Sequence, residues 1–325
     1  MTIVLSIIVL LIIVLLIIVI AGLALFSSYI ANKVEKALPP QGKFVDIGGD
    51  RIHYVEQGSG PAIVMVHGLA GQLLNFAYLP MHELARSHRV ILVDRPGSGY
   101  STRGAQSSAA IFSQAATMAG FIDALKLDKP MLVGHSLGGA LALAVALNHP
   151  QSVSRLALIA PLTHTETDPP EAFRGMAIPS AVMRRVISHT LAIPLSIKNG
   201  PKVLAVVFGP EPVPKDFRVK GGGLLGLRPD NFYAASTDML TVADDMPGME
   251  GRYPTLRLPI DVLYGRQDQV LNYQRHGEGL KQKIPHVVLK LVDGGHMLPV
   301  TLPAMTADWL LAVARSGEAV TASGI

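Results

Sequence analysis

The chain has 325 residues, 49% hydrophobic and 16% charged, with a formal net charge of +4. This composition provides ample material for a core and excludes intrinsic disorder, and the lack of dense Lys/Arg runs interleaved with aromatics excludes a nucleic-acid footprint. Cysteine is absent, which removes disulfide frameworks, Cys-ligated zinc, iron–sulfur clusters and thiol nucleophiles together.

Ile3 to Phe26 is an uncharged run of about 24 residues, and a bilayer core needs about 20. A cleaved signal peptide carries a basic leader and a shorter apolar core; nothing basic precedes this run, and it is too long. The run predicts a single-pass anchor within residues 1–31, in the cell membrane. Lys33 and Lys36 follow it, and by the positive-inside rule they place the rest of the chain in the cytoplasm. Residues 32–42, with Pro39-Pro40, read as a short stiff linker.

Lys43 to Ile47 and Arg51 to Gln57 alternate around Gly48-Gly49-Asp50, a hairpin pattern. Ala62 to Val66 reads as a buried strand, Phe76 to Ser87 as a helix and Val90 to Asp94 as another strand. Ser108 to Leu125 has helical spacing. Met131 to Val133 predicts a strand, Ser136 to Asn148 a helix and Arg155 to Ala160 a strand. Ile260 to Tyr264 and Val287 to Val292 are further strands, and Thr301 to Arg315 closes as an amphipathic helix. Apolar strands alternating with helices imply a mostly parallel α/β sheet covered on both faces. Residues 163–253 break the rhythm and are expected to form a helical cap. It would be inserted between core segments 43–162 and 254–316, with a tail over 317–325. Gly221-Gly222-Gly223 is expected to be a flexible point within the cap.

The chemistry lies in four short pieces. Gly134-His135-Ser136-Leu137-Gly138 matches G-x-S-x-G between a predicted strand and a predicted helix. A serine on so tight a turn needs small neighbours, and its hydroxyl then stands at a helix N-terminus. Among eleven histidines, His296 follows the last predicted strand, at the sheet edge that holds Ser136. His135 is expected to point away, and His67 to shape its loop. Asp268 follows the penultimate strand and is the expected partner of His296. Asp94 is the rival carboxylate, but it precedes the serine and its neighbours suggest loop shaping. The backbone N–H groups of Leu137 and Leu69 are the expected oxyanion donors. His82-Glu83 fails as a zinc motif because Arg86 stands where the second histidine belongs. No metal or organic cofactor is expected.

From Lys43 to Arg315 the chain resembles the α/β-hydrolase superfamily with a cap. The resemblance is carried by His67-Gly68, Asp94-Arg95-Pro96-Gly97-Ser98-Gly99-Tyr100-Ser101, Gly134 to Gly139, Gly265 with Asp268, and Gly295-His296. It implies a catalytic Ser136, Asp268 and His296 in the superfamily's chain order, acting through an acyl-enzyme. Relatives that carry Asp at the nucleophile, epoxide hydrolases and haloalkane dehalogenases, are argued against by Ser136. The expected activity is hydrolysis of lipophilic carboxylic esters, monoacylglycerols or lysophospholipids, drawn from the membrane. Met176, Ile178, Met183, Val206 and Phe208 are expected to line an acyl channel. The alternatives are carbon–carbon hydrolysis or perhydrolysis with the same triad, and a non-catalytic ligand-binding module.

Overall fold

The computed structural model describes residues 2–166, 168 and 170–322, with the side chains of the closing helix described to 316. It opens on α1 (Thr2–Ala37), a helix long and apolar enough to cross a membrane, whose residues Ile3 to Ile20 are exposed. The helix continues through the expected start of the linker. Its far end is docked: Ser27 Oγ donates to the carbonyl of Thr190 at 3.1 Å, Val34 is buried, and Glu35 pairs with Arg228 at 2.8 Å.

The expected hairpin is β1 (Lys43–Ile47) and β2 (Asp50–Gln57), antiparallel with Ile47 opposite Asp50. Gly48 and Gly49 turn it with φ of +56° and +95°, a two-residue geometry that side chains resist. β3 (Ala62–Val66) follows. The helix expected over Phe76 to Ser87 is instead a 3-10 turn, Leu73–Phe76, and the short α2 (Met81–Leu84). Pro80 separates them, because it has no N–H to donate and disfavours helix at the residue before it.

Next come β4 (Arg89–Val93), α3 (Ile111–Ala124), β5 (Met131–His135), α4 (Leu137–Asn148) and β6 (Arg155–Ile159). The chain then leaves the sheet for α5 (Ala181–His189), α6 (Ala192–Phe208) and α7 (Pro229–Arg252). It returns as β7 (Ile260–Gly265), α8 (Gly279–Lys283) and β8 (Val288–Val292). The expected closing helix is broken at Leu302 into α9 (Leu298–Thr301) and α10 (Pro303–Ala322), with Pro303 at the first helical position. The expected tail is thus helical to Ala322, and 323–325 lie outside the described residues.

The described strands form one eight-stranded sheet in the order β1-β2-β4-β3-β5-β6-β7-β8. β4 to β8 run parallel, and β1 and β2 extend one edge antiparallel. Successive side chains of a strand face opposite sides, so one sheet feeds two cores. Val64, Leu132 and Leu158 pack with Phe121, Leu141 and Val145 on the α3–α4 side. Ile63, Met65 and Val133 pack with Phe76, Leu84 and Trp309 on the other. α4 is buried without a break from Leu137 to Ala146, and its small alanines let it lie close against the strands.

A buried ion pair ties the β6–β7 insertion to the sheet. Arg95, which is fully buried after β4, donates from Nη1 to Asp238 Oδ2 of α7 at 2.6 Å and to Gln114 Oε1 of α3 at 3.1 Å. Arg103 reaches the other oxygen of Asp238 at 2.5 Å. Gly221 is pinned rather than free, since its carbonyl accepts from Gln72 Nε2 at 2.7 Å and Asn75 Nδ2 at 2.9 Å. Removing one member of a buried ion pair typically costs about 3–5 kcal/mol, because the other charge is left uncompensated. Asp238→Ala should therefore lower stability by about that amount, measured by urea unfolding of the full chain in detergent.

Candidate active site

β5 delivers Ser136 on a sharp turn into α4. Its φ of 55° and ψ of −120° are costly for a residue with a Cβ, and four glycines clear the space it needs. A Cβ at Gly134 would run into the carbonyl of Gly138, and one at Gly138 would run into that of Val66. One at Gly139 would stand 2.5 Å from Pro161 Cβ, and one at Gly68 only 2.8 Å from Ser136 Cβ. The turn is fastened by Ser136 N–H donating to Ile159 O at 3.0 Å. Leu162 and Gly139 N–H donate to Ser136 O at 3.0 and 2.8 Å. Leu137 N–H lies in the first turn of α4, where no intrahelical acceptor exists.

Asp268 and His296 meet across neighbouring loops. His296 Nδ1 donates to Asp268 Oδ2 at 2.7 Å, and Asp268 Oδ1 accepts from the N–H groups of Val270 and Leu271 at 2.8 and 2.9 Å. With its proton on Nδ1, His296 presents Nε2 as an acceptor. The loops are joined by Arg266 N–H to Val292 O at 2.9 Å and Gln267 N–H to Gly294 O at 3.0 Å. Asp94 is occupied elsewhere. It accepts from His53 Nδ1 at 2.7 Å, Leu73 N–H at 2.7 Å and Tyr100 N–H at 2.9 Å, and so shapes its own loop.

Three neighbours of the site make contacts that the sequence pattern does not foretell. His135, expected to point away, lies against His296 with ring centroids 4.9 Å apart, and its Nε2–H donates to the carbonyl of His296 at 3.0 Å. Burial, and then the nearby His296, push its pKa down to about 3, so it stays a neutral donor. Glu211 accepts the N–H of Gly295 at 3.2 and 3.1 Å, steadying the approach to His296. Arg95 donates from Nε to His67 O at 3.2 Å and from Nη2 to Gly68 O at 3.1 Å, holding the loop that carries Leu69. His67 completes that loop: Nδ1–H donates to Gly68 O at 2.8 Å and Nε2 accepts Arg95 N–H at 3.0 Å. Burial, with Arg95 nearby, holds His67 well below its ordinary pKa.

Ser136, Leu69 and Leu137 open on a cavity of about 170 Å³. Its apolar wall comes from Leu162, Phe173, Met239, Val242, Met246 and Leu271. None of Met176, Ile178, Met183, Val206 and Phe208 lines it. Phe208 packs instead with Phe217, Met297 and Val300, and Met183 is exposed. The wall belongs to α7, whose 239, 242, 243 and 246 positions recur at helical spacing on one face. Among the described residues, His164 and Glu166 are the polar side chains of the lining besides Ser136. Among the described residues no group of His, Asp and Glu could hold a metal ion.

Residues 61–192 match the family model described as alpha/beta hydrolase fold. A 2-hydroxymuconate semialdehyde hydrolase from Pseudomonas sp. strain CF600 is 35% identical over 153 residues, 46% of this chain and 54% of that protein. The chain spans about half the length of the curated relatives it matches in this way. An esterase structure from Exiguobacterium antarcticum superposes with a TM-score of 0.66 at 22% identity, covering 85% of this chain and 100% of that one. A membrane phospholipase A, described as a bacterial virulence factor, superposes with a TM-score of 0.63 at 23% identity, covering 95% and 98%. At these identities the structural likenesses show the fold.

His135 also makes a prediction about pH. It is free to protonate near its ordinary 6.5 in the unfolded chain but held at about 3 in the fold. Its burial therefore draws the chain toward unfolding as pH falls below about 6.5, and costs nothing above that value. His135→Gln, which keeps a donor of similar reach, should flatten the fall in stability between pH 7 and pH 5 by about 2 kcal/mol, measured by denaturant unfolding at each pH.

Proposed function

The chain has the α/β-hydrolase fold, and from that premise we propose that it is a membrane-anchored serine hydrolase of lipophilic carboxylic esters. The observation that carries this reading is the Asp268–His296 pair at the sheet edge that also holds a strained Ser136, which opens on an apolar cavity. Ser136 Oγ attacks the ester carbonyl while His296 Nε2 takes its proton. Asp268 holds the imidazole in the right tautomer and stabilises its charged form. The N–H groups of Leu137 and Leu69 take the oxyanion, each worth about 2.7–4 kcal/mol in the transition state. His296 then protonates the leaving alcohol, and water, activated by the same imidazole, releases the acid from Ser136.

Residues 163–253 act as the cap, and α7 supplies one face of the acyl wall. α1 is the anchor, and Lys33 and Lys36 place the catalytic part on the cytoplasmic side. The name of the membrane phospholipase A neighbour agrees with such a location. The name of the 35% identical relative favours a second reading, carbon–carbon hydrolysis. The cavity lining argues for esters. Among the described residues its charged one is Glu166, and none is a Lys or Arg to meet the carboxylate of a muconate-type substrate.

Ser136→Ala should abolish hydrolysis of a medium-chain p-nitrophenyl ester with the fold retained by circular dichroism. Asp268→Asn should lower kcat by about 10⁴. Normal turnover in Ser136→Ala, or cleavage of a muconate-type ketone in preference to the ester, would overturn the proposal. A chain lacking residues 2–20 should leave the membrane fraction on carbonate extraction and keep its ester hydrolysis. Removing residues 2–37 should also cost stability, because Ser27, Val34 and Glu35 are docked.

A further inference from the structure

We propose that His164 and Glu166 form a subsite in the Ser136 cavity that selects substrates bearing a hydroxyl group and rejects anionic head groups. The inference builds on the ester reading and narrows its substrate class.

The hydrogen bonds around His276 decide what this subsite offers. Thr163 N–H donates to His276 Nδ1 at 3.1 Å, so the His276 proton lies on Nε2 and is given to Glu166 Oε1 at 2.6 Å. Thr163 Oγ1 donates to the carbonyl of His276 at 2.8 Å, so it can only accept from His164 Nδ1–H, also at 2.8 Å. The second ring nitrogen of His164 is left as a lone-pair acceptor. Burial holds the pKa of His164 down to about 4, against the pull of Glu250, so the ring stays neutral at physiological pH. Glu166 remains a carboxylate: burial raises its pKa, but the bond from His276 and the nearby Arg275 outweigh this and hold it low. Arg275 Nε lies 3.3 Å from the same Oε1 that His276 occupies.

Among the described residues, the two polar side chains that flank this apolar cavity besides Ser136 therefore both carry acceptors, a carboxylate oxygen of Glu166 and Nε2 of His164, which lies on the Gly279 side of the ring. An ester with a hydroxyl can donate to them. A phosphate or carboxylate brings only acceptors and a charge of the same sign as Glu166. Among the two lipid classes expected from the sequence, this favours the neutral hydroxylated ester over the lysophospholipid. The subsite is also preorganised. Thr165 N–H and Oγ1–H both donate to Glu250 Oε1 at 2.7 Å, and Tyr253 OH donates to Thr163 O at 2.7 Å. Little ordering is left for a ligand to drive, so a hydrogen bond made here adds to affinity. A carboxylate acceptor makes such a bond about twice as strong as a neutral one does.

The hydroxyl can belong to the alcohol half, as in a glycerol monoester, or to a hydroxylated acyl chain, and the test separates these. Calorimetric titrations use the full Ser136→Ala chain in detergent, so that nothing is turned over. One arm compares 1-O-hexylglycerol with hexyl methyl ether, and the other methyl 3-hydroxyoctanoate with methyl octanoate. One hydroxylated probe should bind at least ~10-fold more tightly than its plain partner, and the arm in which this occurs names the half of the substrate. Glu166→Met should bring that ratio close to one, and His164→Phe should reduce it. Glu166→Gln, which keeps the shape and an acceptor for His276, should keep a reduced preference and gain affinity for hexyl phosphate. Equal binding within both arms, a preference that survives Glu166→Met and His164→Phe, or hexyl phosphate bound as tightly as hexylglycerol would each overturn the proposal. Binding does not need turnover, so failure of the native chain to hydrolyse esters would count against the ester reading alone.

Discussion

The structure turns on one backbone conformation. Ser136 sits at φ 55° and ψ −120°, a geometry that costs of the order of 1–3 kcal/mol and persists only where its surroundings over-determine it. Here the surroundings are the sheet itself. Gly134 and Gly138 let the two sides of the turn meet, and Gly138 also lets α4 approach the end of β3. Gly139 admits Pro161 from the chain beyond β6. Bonds to Ile159 and Leu162 fix the turn to the neighbouring strand and the loop after it. The same turn brings Ser136 to the cavity and puts Leu137 N–H at an open helix end, so in the proposed mechanism strain, oxyanion donor and nucleophile come from a single local solution.

The parallel sheet does the remaining placement. Chain ends of β3, β5, β7 and β8 fall on one edge, so four loops distant in sequence meet there. Leu69, Ser136, Asp268 and His296 each lie just past a strand, and each was singled out in the sequence for that reason: short apolar runs mark strand ends, and a parallel sheet gathers the loops that follow them. The alternation of elements, the hairpin and the G-x-S-x-G turn were legible on the same grounds. What could not be read was contact between elements with no periodic signature. His135 looked like a bystander because adjacency in sequence says nothing of the His296 carbonyl reaching back to it. Asp238 looked like any acidic residue on a helix, and its meaning depends on Arg95, far away in the chain. The cavity wall was expected from residues between Met176 and Phe208, whereas α7 lines it, since apolar bursts occur throughout the insertion and only packing decides which faces Ser136. Pro80 broke an expected helix, and Pro303 set the start of the closing one, where proline chemistry outweighed apolar spacing.

Arg95 deserves its place at the centre of the polar framework because it serves two masters. One side holds the carbonyls of His67 and Gly68, and the other holds Asp238 on α7. The loop that carries Leu69 and the helix that lines the cavity beside Ser136 are thereby referred to one guanidinium. A rigid fork with five donors suits this task, and a lysine in its place would satisfy at most part of it. The insertion between β6 and β7 is thus seated by directional bonds rather than by apolar contact alone, which keeps its register on the sheet specific.

The end of α1 has a geometric consequence. Helical structure runs unbroken from the exposed apolar run to Ala37, and its last turns are fastened through Ser27, Val34 and Glu35 to the same insertion that roofs the cavity. A loop at this point would act as a swivel, letting the globular part sample every attitude. A continuous docked helix instead transmits attitude: the axis of α1 and the mouth of the cavity keep one bearing. Whatever plane α1 is held in, the mouth is presented to it at a constant angle, like a compass needle fixed to its card.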